Sequence, residues 1–225
     1  MRGLLRPASP AAYEKVFGSV HTALMTNVLL ALACSPLLAA LAVVRDPPAS
    51  WPFFAALSVV CAPALTGAFA CFAALGDGGA VAVAGTFLRA YRRAFTRAVA
   101  TWAAGAAVVG LLAVDAAVVS RTAFGPALVP FFATGAVLTV AVVVALLVLA
   151  AEGARPALRP CLYLVARRWY LAVPAVAVLG LTVAVVLARP LAGLLLACSP
   201  LLYAVWGATR FIVAPLLPAT GGPAR

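Results

Sequence analysis

The chain alternates between six long apolar stretches and short segments that hold nearly all of its charged residues. A helix rising about 1.5 Å per residue needs about 20 residues to cross the ~30 Å hydrocarbon core of a bilayer, and each stretch approaches or exceeds that length. We therefore predict an all-α polytopic membrane protein that forms one integral membrane domain over residues 1–225. The predicted spans are residues 22–44, 51–75, 98–120, 126–150, 169–188 and 190–209.

The spans pair into three hairpins, each made of a basic segment, an outward span, a tight turn with one arginine and a returning span. Internal repeats are common in transporters and often place a binding site at their interface. Side-chain identity between the three units is slight, however, and any six-span protein with short outer turns has this layout. We favour the simpler interpretation, although the sequence of Ala33–Leu38 (ACSPLL) recurs at Ala197–Leu202.

The first basic segment, residues 10–21, has the periodicity of an amphipathic helix. Ser9 and Pro10 form a typical helix start, and Tyr13, Phe17 and Val20 fall on one face of the helix that follows. We predict a helix that lies at the inner membrane surface and runs into the first span.

The second basic segment, residues 81–97, separates two helix faces more clearly. At about 100° per residue, its aromatic side chains share one face and four guanidinium groups share the opposite one. We interpret this segment as an interfacial helix that contacts anionic lipid headgroups, with docking of a cytoplasmic partner as the alternative. The candidate contact residues are Arg89, Arg92, Arg93, Arg97, Phe87, Tyr91 and Phe95.

The third basic segment, residues 155–168, is less regular. Its arginines spread around the helix, and Pro156 and Pro160 interrupt it. No clear amphipathic face is predicted there.

Basic residues are distributed unevenly between the two sides of the predicted spans. Thirteen of the sixteen Lys and Arg residues lie on the side of both termini, and Arg45, Arg121 and Arg189 lie one each in the three turns of the other side. Because basic residues concentrate on the cytoplasmic side, we predict a plasma (inner) membrane protein with both termini in the cytoplasm. The net charge of +11 is divided by the spans, so nucleic acid is not an expected partner.

Asp115 is the only ionisable residue predicted at membrane depth, about 7.5 Å inside the outer end of its helix. Such residues are the usual functional candidates in membrane proteins. Arg121 lies about 240° away around the helix, so Arg45 or Arg189 is the expected partner. We favour a structural ion pair over a proton or substrate site.

Charged residues make up only 9% of the chain, and they form no catalytic constellation. There is no phosphate-binding loop and no pair of carboxylates, and His21 has no second ligand at metal-binding spacing. The five cysteines contain no CxxC pair and are expected to act as small hydrophobic residues. We therefore expect neither an enzyme nor a bound cofactor or metal.

Polar residues and prolines within the spans are expected to shape the helices. Intramembrane Thr and Asn usually hydrogen-bond between helices or to their own backbone, and proline kinks a helix. These residues are Thr26, Asn27, Thr66, Thr139 and Thr182, and the prolines at 36, 63, 130, 174 and 200.

Three sequences in residues 51–97 carry a family resemblance: Cys61–Ala70 (CAPALTGAFA), Gly76-Asp77 and Phe87–Phe95 (FLRAYRRAF). Together they resemble the central signature of the YesL-like bacterial membrane proteins, a family of unknown function. The size and the six spans also agree, whereas Ala62 stands where the family often has glycine. The resemblance implies an association with carbohydrate uptake and a sugar importer subunit as a partner, and it implies no functional residues.

Two functions are therefore expected from the sequence. The first is a non-enzymatic accessory or scaffold protein of the membrane, and the alternative is a small-solute transporter or a membrane-embedded substrate-binding subunit. A transporter should contain a polar cavity near the midplane, where this chain is nearly all Ala, Val and Leu.

Overall fold

A computed structural model describes residues 10–44, 50–77, 82–122, 124–155, 157–189 and 193–217, and only the backbone of residues 10–16 and Trp51. All regular structure in these ranges is helical, which confirms the all-α class. The α-helices are α1 (Pro10–Ala33), α2 (Ser35–Val43), α3 (Trp51–Ser58), α4 (Ala62–Gly76), α5 (Val83–Val119), α6 (Gly125–Ala151), α7 (Leu158–Arg167), α8 (Trp169–Ala188) and α9 (Cys198–Val213).

Five segments of the described chain are long and apolar enough to cross a membrane, and α1 with α2 adds a sixth if the bent pair is one span. This confirms a polytopic membrane protein. The five segments are Pro52–Gly76, Val83–Val119, Gly125–Ala151, Trp169–Ala188 and Gly193–Leu216.

The first span is broken near its middle. Helices α1 and α2 meet at Cys34 at an angle of 64°, and Pro36 stands at the start of α2. Proline lacks the N–H that would continue the helical hydrogen bonds, so the predicted kink at Pro36 is confirmed.

Two other spans contain irregular helical turns beside a proline. A 3₁₀ turn, Val59–Cys61, joins α3 to α4 immediately before Pro63, and a π-helical turn, Gly193–Ala197, leads into α9 before Pro200. Helices α6 and α8, in contrast, continue without interruption past Pro130 and Pro174.

Helix α5 differs most from the predicted elements. From Val83 onwards, the predicted amphipathic helix continues without interruption into the predicted third span, as one helix of 37 residues, Val83–Val119. Neither Gly nor Pro occurs between Gly85 and Gly105, so nothing in the sequence ends the helix where its polarity changes. A helix of this length measures about 55 Å, so about 25 Å of it extends beyond a hydrocarbon core.

Helix α4 lies at the centre of the bundle and packs against α1, α5, α6 and α9. Most of its residues are small and fully buried, which allows neighbouring helices to approach closely. Helix α5 packs along both α4 and α6, and α8 pairs with α9. This arrangement brings the ends of α4, α6 and α9 and the starts of α5 and α8 to one side, which we call the arginine-rich side.

Candidate functional surface

One face of α5 is fixed against the bundle. Val83, Phe87, Ala90, Ala94 and Ala98 are buried, and their spacing of three or four residues places them on a single stripe. The stripe packs against α4 and α6. The start of α5 is therefore part of the folded bundle, although its opposite face is basic.

Phe87 is held by a contact that the sequence does not reveal. A Cβ atom at Gly67 of α4 would lie only 2.9 Å from the Phe87 ring, so glycine leaves the space that the ring fills. Phe87 is 4% exposed and stacks on Tyr91, with 6.2 Å between ring centroids. Phe87 is thus a core residue and is not available for the predicted contact with lipid or a partner.

Arg93 is also occupied within the fold. Its Nη2 donates a hydrogen bond to the backbone carbonyl of Ala151 at 3.0 Å, in the last turn of α6. The guanidinium also packs near Gly153, whose φ of 75° ends the helix in the left-handed region. A cation at a helix C-terminus stabilises the exposed carbonyls, so Arg93 acts as a cap for α6.

Of the other contact candidates, Tyr91 is half-buried against the core and does not belong to an exposed surface. Arg89, Arg92 and Arg97 are exposed, Phe95 is 39% exposed, and Leu88, which was not predicted as a contact, is 46% exposed. We call these five exposed residues the α5 surface. It presents three guanidinium groups with a small apolar flank on a helix that is fixed in the bundle.

A partly buried ion pair lies nearby on the arginine-rich side. Arg210 of α9 donates through Nε to Glu152 Oε1 at 2.9 Å, and the Glu152 side chain is only 10% exposed. The guanidinium also lies over the ring of Trp206, 5.3 Å from its centroid. The pair joins the end of α6 to α9, and a separation of 58 residues hides it from the sequence.

Burial raises the pKa of the Glu152 carboxyl, and the neighbouring Arg210 opposes this shift through its charge and hydrogen bond. The carboxyl of Asp77 raises the pKa further, and the buried indole Nε1–H of Trp206 lies close by without a geometrically satisfactory hydrogen bond. Protonation of Glu152 therefore occurs at a higher pH than for a solvated glutamate.

Polar side chains join α1 to the broken segment before α9. Asn27 Nδ2 donates to the Leu195 carbonyl at 2.6 Å, and Ser199 Oγ donates to the Ala23 carbonyl at 3.0 Å. The first bond confirms the expectation that intramembrane Asn bridges helices. Thr66, Thr139 and Thr182 likewise donate to carbonyls of their own helices, as predicted.

Two oxygens on α1 remain without a hydrogen-bond partner within the described chain. They are Thr26 Oγ1 and Asn27 Oδ1, on side chains that are 0% and 2% exposed. Asn27 lies beside the π-helical turn through its bond to Leu195, whereas Thr26 lies near Cys71 of α4. The two ACSPLL sequences coincide with helix breaks: the first contains the α1–α2 bend, and the second enters α9. Cys34 and Cys61, at two of the breaks, are neighbours with free thiols.

Asp115 lies on an exposed face of α5, away from these clusters. Among the residues that the structure describes it forms no ion pair, so the expected pair with Arg189 is absent. Its other predicted partner, Arg45, lies outside the described residues.

The irregular basic segment of the sequence contains an ordered helix, α7. Pro160 falls in its first turn, where proline is tolerated, and Pro156 lies outside both the helix and the described residues. Cys161 and Val165 are buried against the bundle, whereas Arg159 and Arg167 are exposed. Arg159 and Arg167 therefore share an exposed side of α7 that the sequence did not predict, whereas Arg168, directly after the helix, contacts the bundle.

No protein-family model matches the chain, and no curated protein or solved structure is significantly similar to it.

Proposed function

We propose that this chain is a non-enzymatic accessory or scaffold protein of the plasma membrane, with both termini in the cytoplasm, that docks a transport protein for carbohydrate uptake through its α5 surface. The observation that carries the proposal is the exposure of Arg89, Arg92 and Arg97 on a helix whose position is fixed. Phe87 packs on the opposite side of this helix, and Arg93, which lies between Arg89 and Arg97, ties the basic face to the end of α6. Binding to a pre-ordered surface loses less conformational entropy than binding to a mobile one.

The chemistry of the surface selects its partner. Three guanidinium groups along one helix favour a protein surface with carboxylates, because arginine forms paired hydrogen bonds with them. Exposed Leu88 and Phe95 add apolar contact at the edge. Carbohydrate uptake comes from the resemblance to the YesL-like family, which supplies the class of partner to test.

Photo-crosslinking from Leu88 tests the docking. With a photoreactive residue at this position, we expect crosslinks to a subunit of a carbohydrate importer that disappear in an R89Q/R92Q/R97Q variant. An R155Q/R159Q/R167Q variant loses the same charge on the same side and should keep the crosslinks. Crosslinks that persist in the α5 variant, or that reach lipid alone, would contradict docking.

A transport role is supported by a different observation, the π-helical turn beside Asn27 together with the unpaired oxygens of Thr26 and Asn27. Broken helices with unpaired polar atoms are typical of solute and ion sites in transporters. The cavity of about 10 Å³ between α6, α8 and α9 is lined by apolar side chains and Thr209 and has no α1 residue in its lining, so it is separate from these oxygens. We keep the transport role as the second proposal.

The transport role has its own test. A transported solute should raise the thermal unfolding temperature of the purified chain, and T26V and N27L should remove this increase. T182V is the matched control, because Thr182 Oγ1 already donates to the Val178 carbonyl. If no carbohydrate raises the unfolding temperature of the wild type, the transport role is contradicted and docking is the remaining proposal.

A further inference from the structure

Helix α7 lies where the chain passes between two candidate spans. Helix α6 ends at Ala151 and α8 begins at Trp169, so both ends of the segment that contains α7 are at the membrane boundary. Trp169 and Tyr170 at the start of α8 are 66% and 57% exposed, and such aromatic rings prefer the depth of the lipid headgroups. These positions place α7 at headgroup depth.

The orientation of α7 is fixed by the protein. Cys161 and Val165 are fully buried against the bundle, and burial raises the pKa of the Cys161 thiol to about 11, so this anchor is uncharged near neutral pH. Arg168, directly after the helix, donates to the carbonyl of Phe211 and lies over its ring at 5.1 Å. The buried side chains of Cys161 and Val165 and the contacts of Arg168 with Phe211 together prevent α7 from rotating about its axis.

The rest of α7 divides into two exposed sectors. At about 100° per residue, Leu158 and Leu162 lie next to the buried stripe, and they are 62% and 45% exposed. Arg159, Tyr163 and Arg167 form the next sector, and all three are exposed. An apolar flank beside a basic flank is the pattern of a helix that lies in the membrane interface.

We infer that α7 binds anionic phospholipid headgroups of the bilayer surface through Arg159 and Arg167. Leu158 and Leu162 contact the acyl chains next to those headgroups, and exposed Tyr163 lies between the two arginines around the helix, where its hydroxyl can donate to a phosphate oxygen. Charge decides the occupant, because two guanidinium groups gain attraction from an anionic headgroup that a zwitterionic one does not provide. This lipid site is separate from the α5 surface and does not depend on the proposed docking.

Native mass spectrometry of the full chain, titrated with phosphatidylglycerol and with phosphatidylcholine, measures this preference. We expect R159Q/R167Q to weaken phosphatidylglycerol binding about 25-fold at low salt, from about 1 kcal/mol for each arginine, and to leave phosphatidylcholine binding unchanged. R159K/R167K should retain most of the preference, since it keeps the charge. R121Q/R189Q is the matched control, because it removes two exposed arginines at the opposite side of the bundle, and it should have little effect.

Unchanged phosphatidylglycerol binding in R159Q/R167Q, or an equal loss in R121Q/R189Q, would overturn the inference. A second measurement needs no variant and therefore survives a folding defect. A photoreactive phosphatidylglycerol should label the wild-type peptide that contains Leu158–Arg167, less so as salt increases. Labelling confined to the peptide that contains residues 83–97 would assign the lipid site to α5 instead.

Discussion

Gly67 shows how one absent side chain positions the candidate surface. Its lack of a Cβ lets the Phe87 ring pack on α4, and the ring fixes the register of the buried stripe of α5. The exposed arginines follow from that register, because their places on the helix are set by the residues that are buried. A core contact thus determines what the outer face presents.

Replacing Gly67 by alanine should destabilise this contact. The added methyl would lie 2.9 Å from a ring that is itself buried, and such overpacking costs about 1–3 kcal/mol. We expect a lower unfolding temperature in detergent, partly restored by F87L in the same chain. Gly180→Ala is the control, because nothing lies within 4 Å of its added methyl; an equal loss there would show that the effect is not specific to Phe87.

Asp115 leads to the opposite expectation. Its side chain lies in a candidate span, is not covered by the protein and forms no ion pair within the described chain. Asp115→Asn should therefore not lower the free energy of unfolding, because it replaces a charged group at membrane depth with a neutral one. Thermal unfolding of the purified protein measures this. A large loss of stability would instead indicate an ion-pair partner of Asp115 among the residues outside the described ranges. Arg45 would be the first candidate to test by a double-mutant cycle.

At the scale of elements, the Glu152–Arg210 pair clamps the end of α6 to α9, and its stability depends on pH. Because the folded protein raises the pKa of Glu152, it binds this proton more tightly than the unfolded chain does. The free energy of unfolding should therefore fall as pH rises from the usual glutamate range to the higher folded pKa, and then level off.

Unfolding temperatures measured between about pH 4 and pH 8 test this dependence. Wild type should lose stability relative to E152Q as pH increases through this window, because glutamine cannot titrate. R210Q should extend the decline to higher pH, since Arg210 is the group that lowers the Glu152 pKa. If the unfolding temperatures of wild type and E152Q change with pH in parallel, Glu152 has the same pKa in the folded and the unfolded protein.

The hydropathy pattern predicts most of these elements but not how they join. The spans at 126–150 and 169–188 agree with α6 and α8 within one residue, because each is a long apolar run without a charged residue. The boundary at residues 97–98 is a change of polarity within a continuous helix, so no break occurs there. Glu152–Arg210 and Gly67–Phe87 join distant elements, and a single sequence contains no signal that pairs them.

At the scale of the whole molecule, the unequal distribution of basic residues predicts the topology. Reporter fusions after Arg121 and Arg189 should report the outer face, and fusions near Asp77, Arg155 and Arg225 the cytoplasm. A cytoplasmic signal after Arg121 would exclude the arrangement in three hairpins. The basic start of α5 would then lie on the outer side of the membrane, and the α5 surface would not face the cytoplasm.

The chain has six spans if the bent pair of α1 and α2 crosses the membrane, and five if it does not. If the pair crosses the membrane despite its 64° bend, a reporter at the N-terminus should report the cytoplasm and a reporter after Arg45 the outer face. If α1 and α2 form a re-entrant loop, both reporters should give the outer signal, because the segment from Pro52 onwards fixes the position of Arg45. We expect the crossing, since Arg2, Arg6 and Lys15 would otherwise lie on the side with few basic residues. Replacing all three by glutamine tests the cause: the N-terminal signal should weaken while the signals after Arg121 and Arg189 stay unchanged.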